Sequence, residues 1–136
     1  MNRFNIRVYG ILEHREKILL IEEPFAGQIL VKFPGGRLEF SEGLIDALKR
    51  EFLEELDLPI MIRSHFYTLD FFQPSAFRKQ EQLLAIYYKV YAPDPDQLKI
   101  LDPNILRVHW TPLEILSEDT LILPVDKKVV TLLKQE

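Results

Sequence analysis

The sequence predicts an α/β domain in which helices cover both faces of a mixed β-sheet. Three observations predict this fold class. The 136 residues fit one compact domain, and 47% of them are apolar, which is enough for one core. Strand-like segments come before and after one long helical segment, and a second helical segment closes the chain. Such an arrangement implies a three-layer α/β/α sandwich. We therefore assign residues 1–136 to a single domain.

The first part of the chain alternates strand formers with turn signals. Residues 7–12 and 18–21 are rich in strand formers and flank a polar segment, which predicts a hairpin. Residues 24–28 are predicted to form a loop. Residues 29–33 are predicted to form a short strand, which ends in a turn at residues 34–36.

Residues 44–56 are predicted to form a helix. Their apolar side chains recur at about 100° per residue and form one stripe, which comprises Ile45, Leu48, Phe52 and Leu56. Gly43 is the predicted N-cap, and Pro59 prevents the helix from continuing.

The second part of the chain contains two long strand-like stretches, residues 61–73 and 83–92, which are separated by a polar tip. This pattern predicts a second hairpin. The remaining predicted elements are a loop at 92–96, a short strand at 107–110, a helical turn at 112–116 and a final helix at 125–134.

Composition excludes several classes of function. Seventeen Lys and Arg residues against 21 Asp and Glu residues leave a formal net charge of -4, which offers no footprint for a nucleic-acid backbone. We expect no duplex DNA or RNA partner. No apolar run reaches about 18 residues, and the first residues are too polar for a signal peptide, so we expect no membrane association and a cytoplasmic location. The chain has no cysteine, so any metal ion would need oxygen or imidazole ligands.

Three glutamates share one face of the predicted helix. Relative to Glu51, the side chains of Glu54 and Glu55 point about 60° and 40° to either side. Like charges at positions i and i+4 destabilise a helix, so the cluster favours a counterion. Hard oxygen ligands select Mg²⁺ or Mn²⁺, and these ions also bind substrate phosphates. The alternative is a solvated acidic helix face, which the helix taken alone favours.

The spacing around these glutamates resembles the Nudix box. That box is a Gly, five residues, a Glu, seven residues, and then Arg-Glu-apolar-any-Glu-Glu-any-Gly-apolar. The residues in register with it are Gly36, Glu42, Arg50, Glu51, Phe52, Glu54, Glu55 and Leu58. Gly35 gives the usual paired glycine, and the segment 110–114 also looks like the family. The resemblance implies a Nudix-type α/β/α sandwich.

The resemblance also implies an activity: hydrolysis of a phosphoanhydride bond in a nucleoside diphosphate linked to another moiety, X. Glu51, Glu54 and Glu55 would hold Mg²⁺ or Mn²⁺, the carbonyl of Gly35 would add a ligand, and Glu51 would serve as or near the general base for an attacking water. Three further residues would support the site: Gly36, Glu42 and Arg50. The open alternative is a catalytically silent module that binds a nucleotide or sugar nucleotide.

One position departs from the Nudix pattern, because Asp57 replaces the glycine that follows Glu-Glu. Glycine suits a left-handed residue at a helix end, and aspartate adopts that conformation at a cost of roughly 1 kcal/mol. Family members often recruit a further acid from outside the box. The candidates are Glu81, Asp102 and Glu114, and Glu81 leads because it begins a strand after a polar tip. An ordinary surface carboxylate is the alternative for each.

Aromatic side chains offer a further possible role in substrate binding. Four of them would be able to stack on a nucleobase or close a pocket: Phe25, Phe71, Phe72 and Phe77. Aromatic residues in strands are also typical of a core or a dimer interface, so a homodimer is an open alternative. We expect the main partner to be a small nucleotide-derived substrate.

Overall fold

The computed structural model describes all residues, 1–136, and contains seven strands and two α-helices. In chain order they are β1 (Arg3–His14), β2 (Lys17–Phe25), β3 (Gln28–Lys32), β4 (Gly35–Arg37), α1 (Leu44–Leu56), β5 (Met61–Thr68), β6 (Glu81–Tyr91), β7 (Arg107–Pro112) and α2 (Pro124–Lys134). Short 3-10 helices lie at Pro95–Gln97 and Glu118–Thr120. Neither α-helix is long and apolar enough to span a membrane.

The strands form one mixed sheet in the order β3-β2-β1-β6-β5, with β4 beside β1 and β7 beside β2. Only β1 and β6 run parallel. A hydrophobic cluster lies on each face of the sheet. The helix residues of the two clusters are Ala47, Leu48, Phe52 and Leu56 from α1, and Val125, Val129, Val130 and Leu133 from α2. The predicted α/β/α sandwich with a mixed sheet is confirmed.

The prediction for α1 is correct at both ends, with Gly43 as the N-cap. The predicted apolar stripe is wrong at one position, because Ile45 remains 41% exposed. Ala47 takes the buried place near the start of the helix. At the other end Asp57 adopts the left-handed conformation, with φ 49° and ψ 36°. The Leu58 N–H donates to the carbonyl of Phe52 at 3.3 Å and closes the helix end.

Two predicted connections differ from the structure. The predicted loop at 24–28 is instead the tight end of the β2–β3 hairpin. Only Ala26 and Gly27 lie between the strands, with φ values of 50° and 78° that suit a two-residue turn. The predicted strand at 61–73 is too long, because β5 ends at Thr68. Beyond it the chain contacts β6 through separate backbone hydrogen bonds, such as that from the Leu69 N–H to the carbonyl of Ala85, and an isolated bridge at Pro74.

The predicted turn at 34–36 is also only partly correct, because Gly35–Arg37 forms β4 and pairs with β1. Neither glycine has room for a side chain. A Cβ on Gly35, whose φ is 150°, would lie 2.1 Å from the carbonyl oxygen of Val8. A Cβ on Gly36 would lie 2.4 Å from the carboxyl carbon of Glu51. The two glycines therefore let the backbone of β4 approach both β1 and α1.

Replacing Asp57 by glycine tests the cost of the left-handed helix end. We expect Asp57→Gly to raise the free energy of unfolding by a few tenths to about 1 kcal/mol, because the left-handed conformation penalises Asp and not Gly. Urea denaturation measures the change. The matched control, Lys49→Gly inside the same helix, should lose about 1 kcal/mol. A loss of stability in Asp57→Gly would contradict the interpretation.

The two adjacent glycines should respond differently to alanine. Gly35→Ala should destabilise the protein by more than about 2 kcal/mol, because the added Cβ strains the backbone conformation and meets backbone atoms of β1. Gly36→Ala should cost less than Gly35→Ala, because the added Cβ meets the end of the Glu51 side chain and no backbone atom. Urea denaturation of both variants checks the order. Equal losses would show that Gly36 is also held by backbone packing.

Candidate active site

Arg50 on α1 ties the helix to the loop that follows β4. Its Nε and Nη2 atoms donate to the two carboxylate oxygens of Glu42, at 2.9 and 2.7 Å. Nη2 also donates to the carbonyl oxygen of Arg37 at 3.0 Å. The backbone N–H of Glu39 donates to the same Glu42 carboxylate at 2.9 Å, so this loop is fixed from both sides.

The remaining nitrogen of Arg50 holds two carboxylates of the helix. Nη1 donates to Glu51 at 3.0 Å and to Glu54 at 3.2 Å. The hydrogen bonds that Arg50 donates to Glu42 and then to Glu51 raise the pKa of Arg50, and the bond that Glu42 accepts from Arg50 lowers the pKa of Glu42. One guanidinium therefore offsets much of the repulsion within the acidic cluster.

The third carboxylate of the helix has a different environment. Oxygen Oε2 of Glu55 is buried and has no hydrogen-bond partner. Burial, and then the neighbouring Glu51 carboxylate, raise the pKa of Glu55 to about 8, while the ammonium of Lys32 opposes that rise. Glu54, by contrast, has a side chain that is 60% exposed. The cluster thus runs from solvent at Glu54 to the protein interior at Glu55.

The donor set fits a divalent cation such as Mg²⁺ or Mn²⁺. Carboxylate oxygens are the hard ligands that these ions take, and the buried Glu55 oxygen lacks any other partner. The side chains do not form a closed cage, since no group of three or more acidic or histidine side chains is gathered at metal-binding distances. Arg50 draws Glu51 and Glu54 toward itself instead.

The structure brings most of the site residues proposed from the sequence together. Glu42, Arg50, Glu51 and Glu54 form one hydrogen-bonded network, and the backbone of Gly36 lies against the Glu51 carboxyl group. Gly35 directly precedes Gly36 along β4 and pairs with Tyr9 of β1.

Glu81 lies apart from this network. It pairs with Arg3 on β1, whereas Gly36 pairs with Val8, so about 16 Å of strand separates the two positions at roughly 3.3 Å per residue. Its Oε1 accepts a hydrogen bond from Ser75 Oγ at 2.8 Å. Of the other candidate acids, Asp102 accepts from the backbone N–H of Asn104 within a turn, and Glu114 is exposed.

Phe71 and Phe72 are exposed, by 47% and 69%, so neither belongs to the core. Their exposure leaves the other two interpretations, a substrate-binding surface and a dimer interface, so a homodimer stays a prediction.

The sequence analysis missed three charged residues beside this network, which are Lys32, its partner Glu23, and Arg7. Lys32 is almost fully buried, with 3% of its side chain exposed, and its Nζ lies 3.2 Å from Oε1 of Glu23. Arg7 on β1 donates from Nε to the hydroxyl of Tyr9 at 2.6 Å. The sequence signal that would have identified Arg7 and Lys32 is a charged residue inside an otherwise apolar strand. Such residues are rarely buried unless they have a binding partner.

Comparison with known proteins gives the family. The model of the NUDIX domain matches residues 1–133. A NUDIX hydrolase from Nitrosomonas europaea superposes with a TM-score of 0.77 at 24% identity, covering 96% of this chain and 88% of that chain. The MutT protein from Methanosarcina mazei Go1 gives a TM-score of 0.77 at 17% identity, with coverage of 98% and 95%.

An ADP-ribose pyrophosphatase from Streptococcus suis is also similar, with a TM-score of 0.66 at 17% identity and coverage of 94% and 87%. No curated protein sequence matches at a significant level. At these identities the solved structures establish the fold. The family-model match spans nearly the whole chain and includes the Arg50 network, and on that match the chain belongs to the NUDIX family.

Proposed function

We propose that the protein is a metal-dependent pyrophosphohydrolase that cleaves a phosphoanhydride bond in a nucleoside diphosphate linked to another moiety, X. The observation that carries this proposal is the buried, unpaired oxygen of Glu55 beside the Glu51 carboxylate. A carboxylate oxygen buried without a partner costs free energy, which a cation bound at this face of α1 would offset. Unpaired buried carboxylate oxygens also occur at Glu81 and Asp126, but only Glu55 shares its helix face with two further carboxylates, Glu51 and Glu54. The similar ADP-ribose pyrophosphatase fold is consistent with this class of reaction.

Glu51, Glu54 and Glu55 would hold the Mg²⁺ or Mn²⁺, together with the backbone carbonyl of Gly35. A bound divalent ion lowers the pKa of its water and neutralises charge on phosphoryl oxygens. Glu51 is also suited to accept a proton. Its Oε1 already accepts from Arg50, so Oε2 is the oxygen that is free to take a proton from an attacking water.

Gly36, Glu42 and Arg50 would act by keeping Glu51 in place. The two-pronged bond to Glu42 fixes the guanidinium of Arg50, and that guanidinium fixes the Glu51 carboxylate. The missing side chain of Gly36 leaves the space that the carboxylate fills. A general base held in one position loses little freedom when the reaction begins.

The direct test measures phosphate release from a panel of nucleoside triphosphates, sugar nucleotides and dinucleotides. We expect turnover with Mg²⁺ or Mn²⁺, its loss in excess EDTA, and its recovery when metal is added back. Full turnover in EDTA would exclude the metal-dependent mechanism. Tight binding of a panel compound without any turnover would favour the alternative, a nucleotide-binding module.

Substituting each helix glutamate by glutamine separates catalysis from stability. Glu51→Gln, Glu54→Gln and Glu55→Gln should each reduce kcat by at least about 100-fold, because each removes a positioned charge that water does not replace. The control, Glu13→Gln on exposed β1 surface, should keep full activity. Wild-type kcat and metal dependence in both Glu54→Gln and Glu55→Gln would overturn the assignment.

Glu55→Gln should also become more stable to heat without metal. The folded protein raises the pKa of Glu55 from 4.5 to about 8, so the native state loses stability as the pH rises through that interval. Glutamine removes this loss, and the gain in melting temperature should therefore grow from pH 5 to pH 8. Thermal unfolding in EDTA at several pH values measures it. A gain that is independent of pH would contradict the buried-carboxylate explanation.

A further inference from the structure

Arg7 is a half-buried arginine whose charge has no partner in the protein. Its Nε donates to Tyr9 Oη, and its guanidinium lies over the ring of Phe77, 4.7 Å from the ring centroid. No carboxylate lies within ion-pair distance, and neither Nη atom donates a hydrogen bond to the protein. Two aromatic side chains therefore hold the group in place while most of its donors remain free.

Arg7 also adjoins the acidic network. Arg7 precedes Val8, which pairs with Gly36, and Gly36 lies against the Glu51 carboxyl group. Burial lowers the pKa of Arg7, but Tyr9 and then the charges of Glu51 and Glu23 raise it. The net shift of this pKa is upward. The guanidinium of Arg7 is held in place near the Glu51 carboxylate without a hydrogen bond to it. Such a guanidinium is suited to bind a phosphate group.

The segment between β5 and β6 keeps Phe77 over Arg7. The backbone N–H of Phe77 donates to Ser75 Oγ at 3.0 Å, and the Ser75 hydroxyl donates to Glu81. The ring of Phe77 also lies against that of Phe25, with centroids 5.4 Å apart. Glu81 is thus connected to Phe77 through Ser75.

We propose that Arg7 is a further substrate-binding residue, which binds the phosphate next to the one that is held at the α1 carboxylates. This inference rests on the proposed function. It assigns Arg7 as a substrate-binding residue, and Tyr9, Phe77, Ser75 and Glu81 as positioning residues that orient its guanidinium.

Lys32 is a further cation near the site, and it is less available than Arg7 because it is already paired. Its ammonium is buried and paired with Glu23, whereas the Nη atoms of Arg7 are unpaired. A ligand phosphate would have to displace Glu23 to reach Lys32. Binding to Arg7 breaks no existing ion pair.

The first experiment measures KM and kcat for the panel compound that is hydrolysed fastest, at saturating Mg²⁺. Arg7→Met should raise KM at least about tenfold while kcat changes little, because a charge-assisted hydrogen bond to the substrate is lost. Arg7→Lys should lie between the wild type and Arg7→Met. Tyr9→Phe keeps the charge and the ring, and should raise KM by less than Arg7→Met.

Arg63→Met is the matched control. Arg63 on β5 also lies over an aromatic ring, 5.0 Å from the centroid of Tyr91, but it is not part of the site. Its substitution removes the same charge and the same type of contact with an aromatic ring. We expect its KM to equal that of the wild type, which separates a local role of Arg7 from a general effect of net charge.

A second experiment does not depend on turnover. Calorimetry with methylenediphosphonate and Mg²⁺ should show binding to the wild type, to Arg63→Met and, more weakly, to Arg7→Lys, and at least about tenfold weaker binding to Arg7→Met. Unchanged KM and unchanged methylenediphosphonate affinity in Arg7→Met would overturn the proposal for Arg7 alone, as would failure of the wild type to bind this probe. If no compound is hydrolysed, the proposed function fails, while the calorimetry still decides whether Arg7 binds linked phosphates.

Discussion

The acidic face of α1 depends on one cation, Arg50. Its guanidinium contacts Glu42, Glu51 and Glu54, and it also reaches the backbone at Arg37. Without it, adjacent carboxylates would repel one another, and the loop after β4 would lose its attachment to the helix. The same contacts that stabilise the helix therefore also set the orientation of the groups proposed to do the chemistry.

The close approach of β4 gives this network its second support. Gly35 needs a backbone conformation with φ at 150°, and Gly36 needs empty space where the Glu51 carboxyl group lies. The strand pairing that creates this contact joins residues about 28 positions apart, from Val8 to Gly36. A change in the sheet register would therefore move the carboxylates as well, so fold and site are linked through backbone contacts.

The local features of the fold were predictable, and several non-local ones were not. Helix α1 was predicted correctly because its apolar period, its starting Gly43 and the nearby Pro59 all act within one segment. The backbone of Gly35 was predicted to form a turn and not a strand, because its pairing with β1 depends on a distant strand. The same reason explains Arg7: its strand position was visible, but its contact with Phe77 is made by a segment 70 residues further along the chain.

A buried acid on the α2 side of the sheet, Asp126, adds negative charge near Arg7 and Lys32. Asp126 is buried and accepts a hydrogen bond from the hydroxyl of Tyr87 at 2.5 Å. Burial raises the pKa of Asp126 to about 6, although Lys32 and Arg7 lower it. Lys32 and Arg7 thus interact electrostatically with Asp126, but neither forms an ion pair with it. Lys32 is neutralised by Glu23, while Arg7 receives only partial compensation from several directions. A guanidinium in that state can remain charged while half-buried, and it gains more from an incoming phosphate than a cation that is already paired.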